Sequence, residues 1–404
     1  MNWKLIRIID SCLGIPLLLA TSFADRLRGD KRFPNRAAVK RILLIKFWGI
    51  GNIFMILPSI QALRAAHPEA TLDFLTLTGN EEALAAAGVV DSVISVDTGG
   101  IGRFISSWRR AVSRLKQSSY DIIVDFEQFA RFSALVAHQI GAREVIGFET
   151  RGQYRSCLYT RPVAYDNTVH ITRSFYALAA AAGATTALAL PYAGLARLED
   201  LRSRGRDLLA GDGITGDELV VVMHIGTSGN FSERRWLPER YAELADLLIE
   251  NFRVRIVFTG LAEESSLVRD SISHLHFRTA AFDLSGQLSF ADYFALITVA
   301  DLVISADTAA VHLASAVDAP VVGLYGPNTP ALYGPWGRRG LAIYQRFDCS
   351  PCITNFNAKL HICRHAAGRG ACMRAITVAD AFELIRQQFF APEPPGRCER
   401  LVGT

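Results

Sequence analysis

A helix start at Asp307 and Thr308 carries the residues of this sequence that are best suited to hold an anion. The two residues follow a buried apolar run and stand where a helix N-cap is expected, and His312 comes one helical turn after Thr308. Backbone N–H groups at such a helix start carry partial positive charge, which favours a phosphate. A second strand, 319–325, follows at once, so two strand ends border one crevice, where open α/β sheets bind ligands. An ordinary strand-to-helix turn with a packed histidine is the alternative interpretation.

Strands and helices alternate along the chain, and the order strand, glycine loop, helix, strand occurs twice. The strands are expected at 41–47, 71–77, 92–96, 120–126, 219–225 and 254–260, and the helices that define the pattern at 53–66, 238–251 and 378–390. Such alternation is typical of βαβ units with parallel strands. The sequence therefore predicts an α/β fold with two doubly wound, Rossmann-like domains that face each other across a cleft.

Changes in this pattern divide the chain into five parts. A proline, an arginine-rich stretch and Gly-Asp-Gly interrupt the alternation at 191–216, which we expect to join the two domains. The parts are an N-terminal segment at 1–40, a first domain at 41–190, a linker at 191–216, a second domain at 217–390 and a tail at 391–404. The cleft between the domains is the natural place for a ligand.

The composition is that of a globular protein and gives no support to a role in binding nucleic acid. Half of the 404 residues are apolar, a fifth are charged, and the net charge is only +4. The charge is concentrated at the N-terminus, where the first 50 residues hold ten basic and three acidic residues, a net +7. This imbalance favours contact with an anionic surface.

An uncharged stretch, residues 11–24, lies within this basic segment. It is shorter than the roughly 20 apolar residues that a membrane-spanning helix needs, and Pro16 interrupts it. We expect an interfacial segment whose apolar side enters the membrane surface while the basic residues between Arg26 and Arg36 meet anionic head groups. The alternatives are a helix packed on the protein's own surface and a signal peptide, against which Asp10 argues.

Four cysteines cluster in the second domain as a CxxC pair, Cys349 and Cys352, followed by Cys363 and Cys372. Four thiolates can close a tetrahedral site, so a structural zinc ion is one interpretation of the cluster. Disulfide bonds, which need an oxidising compartment, and free thiols beneath a loop are the alternatives.

Five blocks of sequence occur in an order that is typical of one enzyme family. The blocks are Arg41 to Pro58, His224 to Gly226 with Arg235 to Tyr241, Thr259-Gly260 with Glu263-Glu264, Asp301 to Ala316, and Tyr325 to Pro330. Together they resemble glycosyltransferase family 9, the heptosyltransferase family with the GT-B fold, over roughly 41–385.

The resemblance implies an inverting transfer of a sugar, heptose or similar, from a nucleotide-diphospho-sugar such as ADP-heptose. The implied acceptor is lipopolysaccharide or another surface glycan, lipid-linked, and no cofactor or metal is implied at the active centre. The implied location is the cytoplasmic face of a bacterial inner membrane, with the enzyme bound peripherally.

The resemblance places the donor in the second domain, where positive or donor-rich groups must meet the charge of the departing diphosphate. Arg235 can supply the positive charge, and Glu264, or alternatively Glu263, is expected to accept from ribose hydroxyls. The further donor-binding positions are Thr227, Ser228, Asp307, Thr308, Ala309 and His312.

The acceptor belongs to the first domain, beside the loop that contains Gly49 and Gly51. The family's carboxylate after the loop glycine corresponds to Asn52, and an amide cannot take up a proton at neutral pH. Ala309 and Ala310 also depart from the family pattern, since they replace a glycine and a common proline.

Asp125 and Glu127 are our candidates for the missing base, because both end one strand and share one of its faces. In this hypothesis either carboxylate removes the proton while Asn52 positions the acceptor. The alternative is that both carboxylates only bind basic groups nearby. Lys46, Arg131, Arg151 and Arg155 are expected to meet an anionic, phosphorylated acceptor.

Two further classes compete with an active transferase. Asn52 favours a catalytically silent GT-B protein that binds a nucleotide sugar or a glycan. A dinucleotide-dependent oxidoreductase would need a third glycine where Phe54 stands, so we discount that class.

Overall fold

The structure is a computed structural model and describes residues 3–28, 38–188, 197–214, 218–227, 232–353 and 362–391. The predicted tail at 391–404 and Ser228 lie outside the described residues, apart from residue 391.

The first half of the chain forms a helix followed by a parallel six-stranded sheet. Its helices are α1 (Trp3–Arg28), α2 (Ile50–Ala66), α3 (Glu81–Ala87), α4 (Ile101–Gln117), α5 (Arg131–Ile140) and α6 (Ile171–Ala181). Its strands are β1 (Arg41–Ile45), β2 (Thr71–Leu77), β3 (Ser92–Val96), β4 (Tyr120–Asp125), β5 (Ala142–Glu149) and β6 (Arg161–Ala164). The strand order is β3-β2-β1-β4-β5-β6, with β1 at the centre.

The second half repeats this design. Its helices are α7 (Leu198–Gly211), α8 (Pro238–Asn251), α9 (Ser265–Ser273), α10 (Phe290–Val299), α11 (Ala309–Ala316), α12 (Pro330–Tyr333), α13 (Ala371–Arg374) and α14 (Val378–Ile385). Its strands are β7 (Leu219–His224), β8 (Val254–Thr259), β9 (Ala281–Asp283), β10 (Leu302–Ala306), β11 (Val321–Tyr325) and β12 (Gly340–Tyr344). The strand order is β12-β11-β10-β7-β8-β9.

The two sheets have one topology. When the six strands of each half are numbered in chain order, both sheets read 3-2-1-4-5-6, which is the order of doubly wound dinucleotide-binding sheets. The central strands β1 and β7 are apolar on both faces because helices cover both sides of each sheet. The predicted pair of Rossmann-like domains is therefore confirmed.

Most predicted elements lie within a few residues of their expected bounds, and the join between the domains differs most. The expected linker contains α7, which packs against α10. An added Cβ on Gly205 of α7 would lie 2.4 Å from the carbonyl oxygen of Ala295, so this glycine allows the two helices to approach closely. The closing helix predicted at 378–390 is α-helical only to Ile385 and continues as a π-helix over Arg386–Phe390.

The two halves meet through packed aromatic rings. Phe54 of α2 lies 6.0 Å from Phe290 and 5.2 Å from Phe294 of α10, measured between ring centroids. α2 also contacts α11, whose first turn is the predicted anion site. This packing sets the C-terminal edges of the two sheets against each other.

The predicted N-terminal apolar segment is the helix α1, and it packs on the first domain. The Asp10 carboxylate accepts hydrogen bonds from the backbone N–H groups of Arg131 (3.2 Å) and Phe132 (2.8 Å), so Asp10 caps the start of α5. Leu18 is completely buried beneath the helix. None of the helices in the described ranges combines the length and apolar character that crossing a bilayer requires.

Candidate functional site

The C-terminal edge of the second sheet forms a cradle of hydroxyl and backbone groups. Thr308 is the N-cap of α11, as predicted, and its hydroxyl accepts a hydrogen bond from the Ala310 N–H (3.3 Å). The same hydroxyl lies 2.9 Å from the Ser305 hydroxyl at the end of β10. Thr227 follows the neighbouring strand β7, and its hydroxyl is buried with no hydrogen-bond partner among the described residues. A buried hydroxyl of this kind is a ready donor for a ligand oxygen.

Arg234 ties the two turns of the cradle together. Its guanidinium donates to the carbonyl oxygen of Asp307 (2.8 Å) and to that of Thr227 (2.9 Å). Its Nη1 is also 3.6 Å from an Asp307 carboxylate oxygen. The cation therefore lies between the two strand ends where a diphosphate would sit.

Arg235, the cation that the sequence predicted for the cradle, stands next to Arg234 in the chain. Trp236 beside it is completely buried, and its indole donates to the carbonyl oxygen of Ile376 (3.0 Å). Burial raises the pKa of Tyr241, and the charge of Arg235 opposes that rise, so Arg235 lies near this phenol. Arg234 bridges the two turns of the cradle, and Arg235 as a donor-binding cation stays a prediction.

Glu264 lies against the loop that follows β7. Its Oε2 accepts from the Leu261 N–H (2.9 Å), and an added Cβ on Gly226 would lie 1.8 Å from the same oxygen. Only a glycine at position 226 therefore leaves room for this carboxylate. His224 ends β7 close by, and burial lowers its pKa to about 4, so its ring is neutral at neutral pH. Glu264 stays our prediction for the ribose contact.

Asp307 is also held by Asn328, which bonds the same carboxylate oxygen that lies near Arg234. The Asn328 amide donates to an Asp307 carboxylate oxygen over 2.8 Å, and both side chains are buried. Asp307 is therefore a fixed anion that orients the start of α11 and keeps Arg234 in place.

The loop before α2 reaches the cradle from the first domain. An added Cβ on Gly51 would lie 2.9 Å from Cδ2 of His312 and 3.3 Å from Cα of Ala309. Gly49 is the N-cap residue of α2, and the Asn52 amide donates to the carbonyl oxygen of Trp48 over 3.4 Å. The structure thus brings Gly51 next to Ala309 and His312, although these residues are far apart in sequence, and Asn52 follows Gly51 in the first turn of α2.

Asp125 lies in a closed network beneath the C-terminal edge of the first sheet. One carboxylate oxygen accepts from Arg155 (2.8 Å), Tyr159 (2.6 Å) and Ser133 (2.7 Å), and the other accepts from the Glu127 N–H (3.0 Å). Asp125 and Arg155 are both fully buried. The geometry assigns Asp125 a structural role and argues against it as the base, because the carboxylate is completely buried and both of its oxygens accept hydrogen bonds.

Glu127 and Lys46 form a second buried pair. One Glu127 oxygen accepts from Lys46 Nζ (2.8 Å), and the other accepts from the backbone N–H groups of Phe47 (2.7 Å) and Trp48 (3.0 Å). Lys46 also donates to Gln128 (3.1 Å) and is 1% exposed. Our expectation that Lys46 meets an anionic acceptor is wrong, since its charge is already paired in the interior. Glu127 anchors the start of the acceptor-side loop, and its role as a base stays a hypothesis.

Arg131 also differs from its expected role. Its guanidinium donates to the carbonyl oxygens of Asp10 (3.3 Å) and Gly152 (3.4 Å), and the residue is 8% exposed. The expectation of contact with an acceptor is therefore wrong for Arg131, whose side chain instead holds α1 on the first domain.

The four clustered cysteines lie around one small cavity behind the cradle. Cys349, Cys352, Cys363 and Cys372 line this cavity, and burial raises the pKa of Cys352 to about 11. In the described part of the chain, no three metal-ligating side chains stand where they could hold an ion. The cluster instead supports the turn after β11, since the Cys352 N–H donates to the carbonyl oxygen of Pro327 (2.9 Å). A zinc ion at this cluster stays a prediction.

Two facing α/β domains with an anion cradle at one sheet edge define the class of nucleotide-sugar-dependent transferases with the GT-B fold. The family model described as glycosyltransferase family 9 (heptosyltransferase) matches residues 108–362 of this chain. The chain belongs to glycosyltransferase family 9.

Individual relatives agree with this assignment. Lipopolysaccharide heptosyltransferase 1 of Pseudomonas aeruginosa is 28% identical over 331 residues, which cover 78% of this chain and 86% of the relative. The crystal structure of the family 9 glycosyltransferase from Veillonella parvula superposes with a TM-score of 0.72 at 19% identity, covering 87% of this chain and 98% of that one. ADP-heptose LPS heptosyltransferase II of Escherichia coli gives a TM-score of 0.68 at 20% identity, with coverage of 87% and 98%.

The sequence did not indicate the roles of several residues that organise the site. The expectation that Arg155 meets an acceptor is wrong, because Arg155 is completely buried against Asp125, 30 positions away. Asp10 makes its contact with Arg131, 121 positions away, and no local sequence pattern predicts either pair. Arg234 is adjacent to the residue we chose, and the sequence contains no signal that separates the two arginines. Asn328 lies in the block that resembles the family, so its position could have been flagged.

Proposed function

We propose that this glycosyltransferase transfers a heptose from an ADP-heptose-like donor to a lipopolysaccharide core acceptor, with inversion and without a metal at the reaction centre. The names of the relatives support heptose and lipopolysaccharide as the substrate classes. The proposed location is the cytoplasmic face of the inner membrane, where the enzyme binds peripherally to reach a lipid-linked acceptor.

The observation that carries the proposal is the position of Arg234 between the turns at Thr227 and Asp307. When the glycosidic bond breaks, negative charge grows on the diphosphate oxygens, and a fixed cation beside neutral donors stabilises that charge. Thr227, Thr308 and the first N–H groups of α11 supply the neutral donors in our proposal. A group of this kind performs the task that a metal ion performs in other transferases.

The acceptor hydroxyl is proposed to enter beside Asn52, where the loop of the first domain contacts Ala309 and His312. The Asn52 amide can position the hydroxyl by hydrogen bonding and cannot accept its proton. Inversion follows when the acceptor oxygen bonds to the anomeric carbon from the side of the first domain while the bond to the diphosphate breaks on the side of the second. The proton of the acceptor hydroxyl passes to solvent water, or to Glu127 if the hypothesis of Glu127 as base is correct.

The test is turnover with ADP-heptose and a heptose-free lipopolysaccharide core acceptor. The expected result is release of ADP together with a product one heptose heavier, and the product's anomeric configuration reports inversion. Binding of ADP-heptose by calorimetry, measured separately, isolates the donor site from the chemistry.

A catalytically silent protein is the second candidate, and Asn52 together with the buried Asp125 and Glu127 favours it. The Asn52→Asp variant separates the two candidates. In an active site that lacks only a strong base, we expect this change to raise kcat by about 10²-fold, because a positioned base contributes roughly 10²–10⁴-fold. Donor binding without turnover in both the wild type and Asn52→Asp would instead establish the silent protein.

A further inference from the structure

One face of α1 is apolar and exposed to solvent, while the opposite face packs on the first domain. Leu13, Leu17, Leu19 and Phe23 are 54%, 51%, 49% and 64% exposed, whereas Leu18 is fully buried. Isolated exposed leucines are common, but four large apolar side chains on about three turns of one helix are not scattered.

The exposed face is continuous. Cys12, Pro16 and Ala20 are exposed as well, and they lie between the larger side chains because residues three and four apart share one side of a helix. No charged residue occurs from 11 to 24, so no charge interrupts this face. We call these seven residues, Cys12, Leu13, Pro16, Leu17, Leu19, Ala20 and Phe23, the α1 face.

Polar contacts hold α1 with the α1 face outward. Asp10 caps α5, the Cys157 thiol lies 3.9 Å from the Leu18 carbonyl oxygen, and the Ser22 hydroxyl lies 3.5 Å from the Cys157 carbonyl oxygen. These contacts are all made from the packed side of the helix. The fold thus fixes the direction in which the α1 face points.

Neighbouring elements add to the apolar surface. Twelve large hydrophobic side chains are exposed in the part of the chain that the structure describes, and seven of them belong to α1 or to elements near it. Besides the four on α1, these are Ile101 and Ile105 on α4 and Tyr154 before the turn at Arg155–Leu158. α1 contacts that turn, and both α1 and α4 contact α5. Such concentration marks an interaction surface.

Charge decides which partner fits this surface. α1 contains four basic residues towards its two ends, Lys4, Arg7, Arg26 and Arg28, against the two acidic residues Asp10 and Asp25. The first 50 residues carry a net +7. A second copy of this chain would bring two such basic segments together, whereas an anionic membrane neutralises them. An apolar helix face with cationic ends is the pattern of a helix that lies in the membrane interface.

We propose that α1 docks this protein on an anionic lipid bilayer by inserting the α1 face into the interface. This inference rests on the proposed function in one respect, because docking on the membrane would give the enzyme access to a lipid-linked acceptor. Asp10 of α1 caps the start of α5, where Phe132 lies. The Phe132 ring is 5.8 Å from the Phe47 ring, measured between centroids, and Phe47 stands at the start of the loop that leads to Asn52. Docking through α1 therefore brings the acceptor side of the cleft close to the bilayer.

Flotation of the full-length protein with vesicles tests the proposal without any substrate. Vesicles of phosphatidylethanolamine and phosphatidylglycerol are compared with vesicles of phosphatidylcholine alone. We expect the wild type to float with the anionic vesicles, and the variant Leu13→Ser/Leu17→Ser/Phe23→Ser to bind them at least about ten-fold more weakly. The matched control is Phe277→Ser/Leu384→Ser, which changes two equally apolar residues that are 41% and 40% exposed elsewhere; it should float like the wild type.

A second variant keeps the test decisive if the first one folds poorly. Arg26→Gln/Arg28→Gln leaves the α1 face intact and should weaken binding to anionic vesicles by about ten-fold, with a smaller dependence on salt. A wild type that does not float with anionic vesicles overturns the proposal, and so does an α1-face variant that floats like the wild type. A wild-type dimer in sedimentation that the α1-face variant loses, without vesicle binding by either, would assign the surface to a second copy instead.

Calorimetric titration with ADP-heptose, in the absence of vesicles, keeps the two proposals distinct. The α1-face variant should bind the donor like the wild type. A wild type that floats with anionic vesicles but does not bind ADP-heptose would contradict the proposed function and leave the docking proposal intact.

Discussion

The two sheets of this protein share one strand order and use their C-terminal edges in opposite ways. At the edge of the first sheet, Asp125 and Glu127 are buried and paired with Arg155 and Lys46. At the edge of the second sheet, Arg234 lies in a cradle whose Thr227 hydroxyl has no hydrogen-bond partner among the described residues.

The difference shows how one topology can support either a rigid frame or a binding site. A closed network of paired charges fixes the loops around it, because removing one partner leaves an uncompensated charge in the interior. Unpaired donors at a strand-to-helix turn cost stability in the free protein and become useful when a ligand satisfies them. The first domain thus positions the acceptor loop, and the second domain is proposed to bind the charged donor.

The largest expected effect comes from the cradle. Arg234→Ala should lower kcat/KM by about 10³-fold, or about 4 kcal/mol, because the change removes the cation that faces the departing diphosphate. Steady-state kinetics with ADP-heptose measure this loss. Arg235→Ala is the matched control and should have a much smaller effect. An equal loss in both variants would contradict the assignment of Arg234 to the cradle.

The next effect concerns the frame. Asp125→Asn should lower the free energy of unfolding by about 3 kcal/mol, since Arg155 would keep a buried charge without its partner. Glu144→Gln, which breaks the exposed pair with Arg161, should cost less than about 1 kcal/mol. Urea unfolding gives both values. If Asp125→Asn were as stable as the wild type but had lost turnover, Asp125 would be a catalytic residue. The edge of the first sheet would then not be a purely structural frame.

A smaller effect should appear on acidification, at the join between the halves. His170 caps α6 with Nδ1 accepting from the Thr172 N–H (3.3 Å), and its Nε2 lies 3.1 Å from the Gly334 carbonyl oxygen. Burial lowers the pKa of His170 to about 4. Because the unfolded chain binds this proton more tightly, the stabilisation is complete above pH 6.5 and is lost as the pH falls towards 4, by about 1–2 kcal/mol at pH 5.

Melting temperatures at pH 7 and pH 5 measure this linkage. The decrease should be smaller in His170→Asn than in the wild type. His274→Asn provides the control, because the His274 side chain is 49% exposed and should leave the pH dependence unchanged. An identical decrease in all three proteins would show that His170 does not carry the effect.

The smallest expected effect is that of a chelator on catalysis. Dialysis against EDTA should leave kcat unchanged, since Arg234 and neutral donors are proposed to replace a metal at the reaction centre. Metal analysis of the same samples tests the zinc hypothesis for the cysteine cluster. One equivalent of zinc, with a lower melting temperature after chelation, would support it, and a metal-free protein of equal stability would refute it.

The sequence by itself determined the repeated architecture and the start of α11. Apolar runs and glycine loops recur in the same order because each βαβ unit is specified by residues that are close in the chain. Thr308 was identifiable as an N-cap for the same reason, since a cap bonds an N–H only two or three residues away.

Only the tertiary structure decided what each charged side chain does. Whether Asp125 is a base or a buried partner depends on Arg155, which lies 30 residues further along the chain. The choice between Arg234 and Arg235 depends on which one reaches Asp307, 73 residues from Arg234. The outward orientation of the α1 face depends on Asp10 meeting α5. Charged groups interact through space, and their surroundings are formed by segments that are distant in the chain. The role of each charged side chain therefore depends on the folded structure and not on its neighbours in sequence.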